Sequence, residues 1–318
     1  MVDNEFDIID KYFLNIGWQE ASSVILGPGD DCAVLSVPPA QELCVSTDTL
    51  VEGVHFPVDC TGSIVATRSF AASVSDLAAM GAEPYAFTGA LTMPGVDHGW
   101  LSDFSRQLSS LSIEYQIPLV GGNLSRGPLS LTFTVMGLTP VGQAIQRSGA
   151  APGDDIYVTG YPGEAGAGLL LSDAQAGEFS SLVDAYNCPR ARIEVGLALR
   201  SHASAAIDIS DGLLADLNHL TDSSDSGAEI EVSSIPLSRT LLDYTSREKA
   251  LLLACTAGDD YELCFSAPGS QRSEIERISI ATGIRITRIG RIVEGQGVKL
   301  TGDISDLPGI SKMGYQHF

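Results

Sequence analysis

Positive charge is what this sequence most lacks: eighteen Lys and Arg stand against forty Asp and Glu, a formal charge of −22 over 318 residues. A field of that sign repels polyanions, so no nucleic acid and no anionic membrane surface is expected as a partner. A nucleotide would be repelled too, unless divalent cations bridge its phosphates to the protein. At any single surface position, an Asp or Glu simply solvates the fold. Cysteine is sparse and scattered. Cys32, Cys44, Cys60, Cys188, Cys255 and Cys264 form no CxxC pair, which points to a reducing compartment and to small buried hydrophobes more than to a disulfide framework. The opening MVDNEFDIIDKYF lacks the basic and apolar regions of a signal peptide, and no apolar run reaches membrane-spanning length. The expectation is a soluble, cytoplasmic protein.

The common nucleotide motifs are missing as well. There is no GxxxxGK[ST], no protein-kinase catalytic loop and no DFG. The stretch Gly160 to Gly168 does not fit GxGxxG and reads as a turn before a helix. Ser246 and Lys249 match SxxK without its companion motifs, as chance allows.

In place of these, carboxylates and hydroxyls cluster at turns and strand ends: GPGDD at 27–31, VSTDTL at 45–50, Asp76 within SVSDLAAMGAEP, and AIDISDGL at 206–213. Hard oxygen donors suit magnesium, which usually also holds substrate phosphates. The residues therefore read as a metal-dependent phosphoryl-transfer enzyme. In GPGDD, Pro-Gly supplies the turn and Asp30 and Asp31 follow it; a plain turn explains the segment as well as a site does, more so for Asp154 and Asp155. Ser46, Thr47 and Asp48 close a β-like run, where strand ends of α/β sheets open onto ligands. His55 nearby is a candidate substrate contact or a structural residue. Asp76 sits among Val74, Leu77 and Met80, where a lone carboxylate would be heavily penalised by desolvation, so it must be paired, hydrogen-bonded or metal-bound. Asp208 and Ser210 share one side of a strand end. Asp211 is either a helix N-cap or a ligand.

At this length two domains of about 150 residues are expected, at 1–141 and 150–318, with the Gly- and Pro-punctuated stretch 142–154 between them. Phe6, Ile9, Phe13 and Ile16 keep helical spacing. Strands are expected near 33–37, 42–47, 87–93, 119 and 129–138, with helices at 63–80 and 101–115. A second alternation follows: strands 155–159, 205–209, 261–266 and 284–292, and helices 163–171, 190–200, 213–220 and 273–281. The fold class is α/β or α+β in two layers.

GPGDD, STDTLVEGVHF, SVSDLAAMGAEP, LVGGN, IDISDGL, GDDYEL and the terminal GYQHF, in this order and spacing, resemble the thiamine-monophosphate kinases of the aminoimidazole ribonucleotide synthetase superfamily over nearly the whole chain. The resemblance implies a two-domain fold whose N-terminal sheet joins a second subunit's in a homodimer barrel, and a C-terminal α/β domain that completes the active site. It implies transfer of phosphate from ATP to thiamine monophosphate, in line, with several magnesium ions and no protein nucleophile. Asp31, Ser46, Thr47, Asp48, Asp76 and Asp208 then match metal ligands, with Asp30 beside them and Asp211 on a further ion. Gly122, Arg147 and Ser210 match nucleotide contacts; His55, Asp259 and Tyr315 match contacts to thiamine phosphate. Asn123 stands where the family usually has Asp, weakening a metal and nucleotide position, and Asp259 where it often has Glu. Selenophosphate synthetase, aminoimidazole ribonucleotide synthetase and a hydrogenase-maturation protein would share the ATP apparatus. Against them, the chain has no reactive Cys-Lys segment near its start and no C-terminal Cys. Outside the superfamily, a non-catalytic acidic metal-binding or scaffolding protein is the rival.

Overall fold

The computed structural model describes residues 4–171, 173–303 and 314–315. The chain divides into two compact units, Met1–Leu77 with Glu83–Gly142, and Ala78–Ala82 with Gln143–Phe318.

In the first unit, α1 (Glu5–Tyr12) is followed by a short hairpin of β1 (Val24–Leu26) and β2 (Val34–Leu35). Then come β3 (Gln41–Val51), α2 (Gly62–Ala79), β4 (Glu83–Met93), α3 (His98–Glu114), β5 (Leu119–Arg126) and β6 (Ser130–Pro140). The sheet order is β3-β6-β4-β5, antiparallel except for β4–β5. That parallel pair follows from α3, which returns the chain to the same end before β5 starts. α2 is built almost wholly from small and apolar residues. It buries Val65, Phe70, Val74 and Leu77, and Phe70 meets Phe87 and Phe133 of the sheet edge to face at 5.6 and 6.4 Å.

The opposite face of this sheet is unlike the first. Leu43, Val45, Thr47 and Thr49 point that way from β3, paired across to Leu138, Met136, Thr134 and Thr132. Val45 is 58% exposed.

The second unit contains β7 (Asp155–Thr159), α4 (Glu164–Leu170), α5 (Asp173–Ala176), α6 (Ser180–Asn187), α7 (Ile193–Leu199), β8 (Ala205–Asp208), α8 (Leu213–Ser223) and β9 (Gly227–Glu231). After these come α9 (Arg239–Tyr244), α10 (Arg247–Thr256), β10 (Leu263–Ala267), α11 (Arg272–Thr282), β11 (Ile286–Val293) and β12 (Gly297–Thr301). The sheet order is β12-β9-β11-β7-β10-β8, with only β12–β9 parallel. Its main core joins Ile156, Val158, Ile207, Leu217, Leu251 and Ile289.

One expectation needs amending. Cys255 and Cys264 are buried as foreseen, but Cys32 and Cys188 are exposed, and all six thiols are free. Ser246 accepts the Lys249 amide as the N-cap of α10, the ordinary role. No helix among the described residues is long and apolar enough to cross a membrane.

Candidate active site

In the first unit the two-residue period of β3 aims Ser46 and Asp48 at α2, and Thr47 away from it. On the facing side of α2 the Ser46 hydroxyl donates to Asp76 Oδ2. Asp48 Oδ2 is buried with no hydrogen-bond partner. Burial first, then the charge of Asp76, pushes the Asp48 carboxyl up to about 6, with the Ser73 hydroxyl opposing. Two carboxylates and a hydroxyl thus converge, one oxygen unsatisfied, and a hard divalent cation fits that donor set. Thr47 is not part of the group: its hydroxyl bonds Thr134 Oγ1 at 2.9 Å on the opposite face.

The GPGDD loop presents Asp30 and Asp31 to solvent, and Asp30 Oδ1 accepts the Asp31 amide at 2.8 Å. Beside it lies a cavity of about 700 Å³, lined by Phe6, Ile9, Phe13, Phe104 and Phe133 together with Gly121, Gly122 and Asn123. A Cβ at Gly122 would stand 2.1 Å from the Gly89 carbonyl oxygen. Only glycine lets β4 and β5 approach there, and the cavity is left with bare backbone. Asn123 is exposed and donates from Nδ2 to Ser125 Oγ at 2.9 Å. His55 is engaged in the turn after β3: its Nδ1 accepts the Val51 amide at 3.0 Å and its carbonyl accepts Arg68 Nη2 at 3.0 Å. Among the described residues, no three His, Cys, Asp or Glu side chains meet at one point, so Asp30 and Asp31 do not join Asp48 and Asp76 in one cage.

In the second unit Asp208 is buried at the end of β8, opposite Leu263. Asp211 does not cap α8. The N-cap is Gly212 at φ +123°, and the amides of Ser210, Asp211 and Gly212 each donate to Asp216 Oδ2 at 3.0 Å. Burial pushes the Asp216 carboxyl up to about 7; the three amides oppose the shift and the charge of Asp211 adds to it. The GDDYEL loop lies against this turn. Asp259 and Tyr261 hold left-handed φ of +67° and +49°, and the Tyr261 hydroxyl donates to Asp259 Oδ1 at 3.2 Å. For side chains with a Cβ such backbone is strained by about 1–3 kcal/mol, so its surroundings must hold it. Asp260 does so from within, accepting the amides of Gly163 and Ala165 at 2.8 and 3.3 Å, and burial drives its carboxyl well above the ordinary range. Glu262 accepts Arg192 Nε at 2.7 Å and the Thr159 hydroxyl at 2.5 Å. Arg147 is exposed and its carbonyl accepts Ser224 Oγ at 3.0 Å. Tyr315 is 47% exposed, its amide on the Asp211 carbonyl at 3.0 Å. Gln316, His317 and Phe318, the rest of GYQHF, lie outside the described residues.

Sequence reading missed Asp216, the Arg192–Glu262 pair and the cavity. An acid one turn into a helix that opens on Gly was the available signal for Asp216.

The family profile AIR synthase related protein, N-terminal domain, matches residues 29–139, and the corresponding C-terminal domain matches 151–303. The thiamine-monophosphate kinase of Escherichia coli (strain K12) is 42% identical over 326 aligned residues, covering 100% of this chain and 99% of that protein. A crystal structure of thiamine-monophosphate kinase from Stenotrophomonas maltophilia K279a superposes with a TM-score of 0.85 at 40% identity, over 89% of this chain and 93% of that one. AaThiL complexed with AMPPCP and TMP superposes at 0.77 with 29% identity, over 99% and 97%.

Proposed function

The chain belongs to the thiamine-monophosphate kinases of the AIR synthase-related family, and from that premise we infer that it phosphorylates thiamine monophosphate to thiamine diphosphate with ATP. The observation that carries this is full-length likeness to the kinases together with a relative, AaThiL, seen with AMPPCP and TMP. Transfer in line from ATP needs little covalent chemistry from the protein; positioning and neutralisation of the phosphate oxygens dominate.

Magnesium is the cation proposed for Asp48, Asp76 and Ser46, with Asp30, Asp31, Asp208 and Asp211 as further carboxylates and Thr47 and Asn123 as weaker candidates. When bound, it supplies charge neutralisation and orientation of the phosphates. The buried unpartnered Asp48 oxygen supports that assignment. The chain's own residues then bind and orient. The cavity beside GPGDD offers apolar walls and the bare Gly121–Gly122 backbone to a nucleotide. In the second unit, Arg147 and Ser210 are the residues proposed for nucleotide contact. Asp259 and Tyr315 offer a carboxylate and a ring face to the thiazolium cation. His55, already held in its turn, is the weakest substrate candidate.

A homodimer is proposed through the exposed face and free edge of β3. Leu43, Val45, Thr47 and Thr49 form an apolar and hydroxyl surface of the kind partners cover. Cytoplasmic residence is proposed with it. The test is incubation with ATP, magnesium and thiamine monophosphate, followed by separation of the thiamine phosphates. A folded sample that makes no thiamine diphosphate overturns the reading.

A further inference from the structure

Asp216 is not among the expected ligands, yet a single oxygen of this 3% exposed carboxylate accepts three consecutive amides. Each of those N–H groups belongs to a planar peptide unit whose carbonyl points the opposite way. The three units are 209–210, 210–211 and 211–212. Their carbonyls are the ones that hold the neighbouring segments. Ile209 O accepts the Tyr261 amide at 2.9 Å, Ser210 O accepts the Asp259 amide at 2.9 Å, and Asp211 O accepts the Tyr315 amide at 3.0 Å.

We propose that Asp216 is the positioning residue of the second unit: by fixing three peptide planes it sets Ser210 and Asp211 directly, and through their carbonyls it orients Asp259 and Tyr315. Hydrogen bonds on the two ends of one peptide polarise each other, so the carboxylate strengthens the outward three as well as orienting them. The crowding agrees. A Cβ at Gly258 would stand 2.1 Å from Ser210 O, and one at Gly314 2.6 Å from Asp211 O. Both segments are therefore seated closely on these carbonyls, in places only glycine can occupy. Nothing in this requires Asp216 to touch substrate. Its effect on catalysis rests on the thiamine-phosphate reading above.

The test compares Asp216→Ala and Asp216→Asn in the full chain. Asn keeps one carbonyl oxygen for the amides and loses the charge; Ala removes the acceptor. In Asp216→Ala the Asp259, Tyr261 and Tyr315 amides should exchange with solvent faster, and KM for thiamine monophosphate should rise roughly tenfold, the loss expected when one or two such bonds go. Asp216→Asn should recover most of both. Tyr315→Ala should add little in the Asp216→Ala background, because a tyrosine already misplaced has little left to lose. A merely structural role gives a lower melting temperature with unchanged KM and additive losses, and overturns the proposal; so does an Asn variant as impaired as Ala. If Asp216→Ala does not fold, Asp216→Ser, whose hydroxyl is too short to reach three amides, takes its place, and failure of both to fold assigns the residue to stability alone. If the wild type makes no thiamine diphosphate, the functional reading fails, and amide exchange still decides the positioning role.

Discussion

Asp48 and Asp76 oppose each other across β3 and α2, and this pair makes the sharpest claims about single residues. A carboxyl whose folded pKa is raised weakens the fold at every pH above its unfolded value, because ionising it is harder in the folded state. A rise from the ordinary 3.8 to about 6 amounts to about 3 kcal/mol. The penalty is absent below about pH 4, grows between the unfolded and folded pKa values, and is complete above about pH 7. Asp48→Asn is therefore expected to stabilise the metal-free protein by up to that amount near pH 8, to do nothing near pH 4, and to abolish most phosphoryl transfer. Urea denaturation at the two pH values, with the kinase assay, checks it. An Asn variant that is fully active, or no more stable at the higher pH, contradicts the ligand role. Tyr315→Ala should weaken thiamine monophosphate more than ATP, by roughly threefold to thirtyfold for a cation on an aromatic face. A changed KM for ATP alone would reverse that assignment. Asn123 tests what the resemblance implies, an Asp at this position. Its amide bonds Ser125 at 2.9 Å, and an Asp there restores a charge while Ser125 can donate in its place. Asn123→Asp should lower the magnesium concentration for half-maximal activity; an unchanged value leaves Asn123 a loop residue.

Elements were legible where periodicity was strong and blurred where it was not. The helix expected at 63–80 is α2, and the strand expected at 155–159 is β7, because a long run of mostly small and apolar residues and a short Ile-Tyr-Val-Thr run bounded by Gly each favour one reading. β3 runs to Val51, beyond the expected 47, because Thr49 and Val51 pair with Thr132 and Ser130; cross-strand pairing is invisible from one strand's sequence. β9 and β12 were missed for a similar reason: Gly227 and Gly297 open strands that only sheet neighbours stabilise. At the site, the ligand-like carboxylates stood out by type and spacing, whereas the signal for Asp216 was only its place in the first turn of a helix that opens on Gly, and its backbone-amide partners are set by the fold. The side chain of Thr47 points away from those of Ser46 and Asp48 because consecutive residues of a strand face opposite sides. That same alternation makes a prediction for β3 as an edge. Val45→Lys places a charge on the outward face without disturbing Ser46 or Asp48, and should shift a dimer toward monomer in light scattering. A variant as dimeric as the wild type moves the interface elsewhere.

Over the whole molecule, a charge of −22 raises the question of whether magnesium acts by screening or by binding. Self-repulsion of that size weakens the compact state, and any salt relieves it by shortening the screening length, to about 10 Å at 0.1 M. Screening depends on ionic strength alone. Binding to the folded state adds a term that depends on the ion, about 2.7 kcal/mol when free magnesium is a hundred times its dissociation constant. Melting curves in magnesium chloride and in sodium chloride at matched ionic strength separate the two. The wild type should gain more from magnesium, and the excess should shrink in Asp48→Asn, which keeps almost all of the surface charge but loses the buried unpartnered oxygen. On the proposed coordination, ATP should enlarge the wild-type excess further, its phosphates adding ligands to those of the carboxylates. Equal stabilisation by the two salts, or an excess that survives Asp48→Asn undiminished, means the acidic balance acts only as a diffuse field and the cation is held elsewhere.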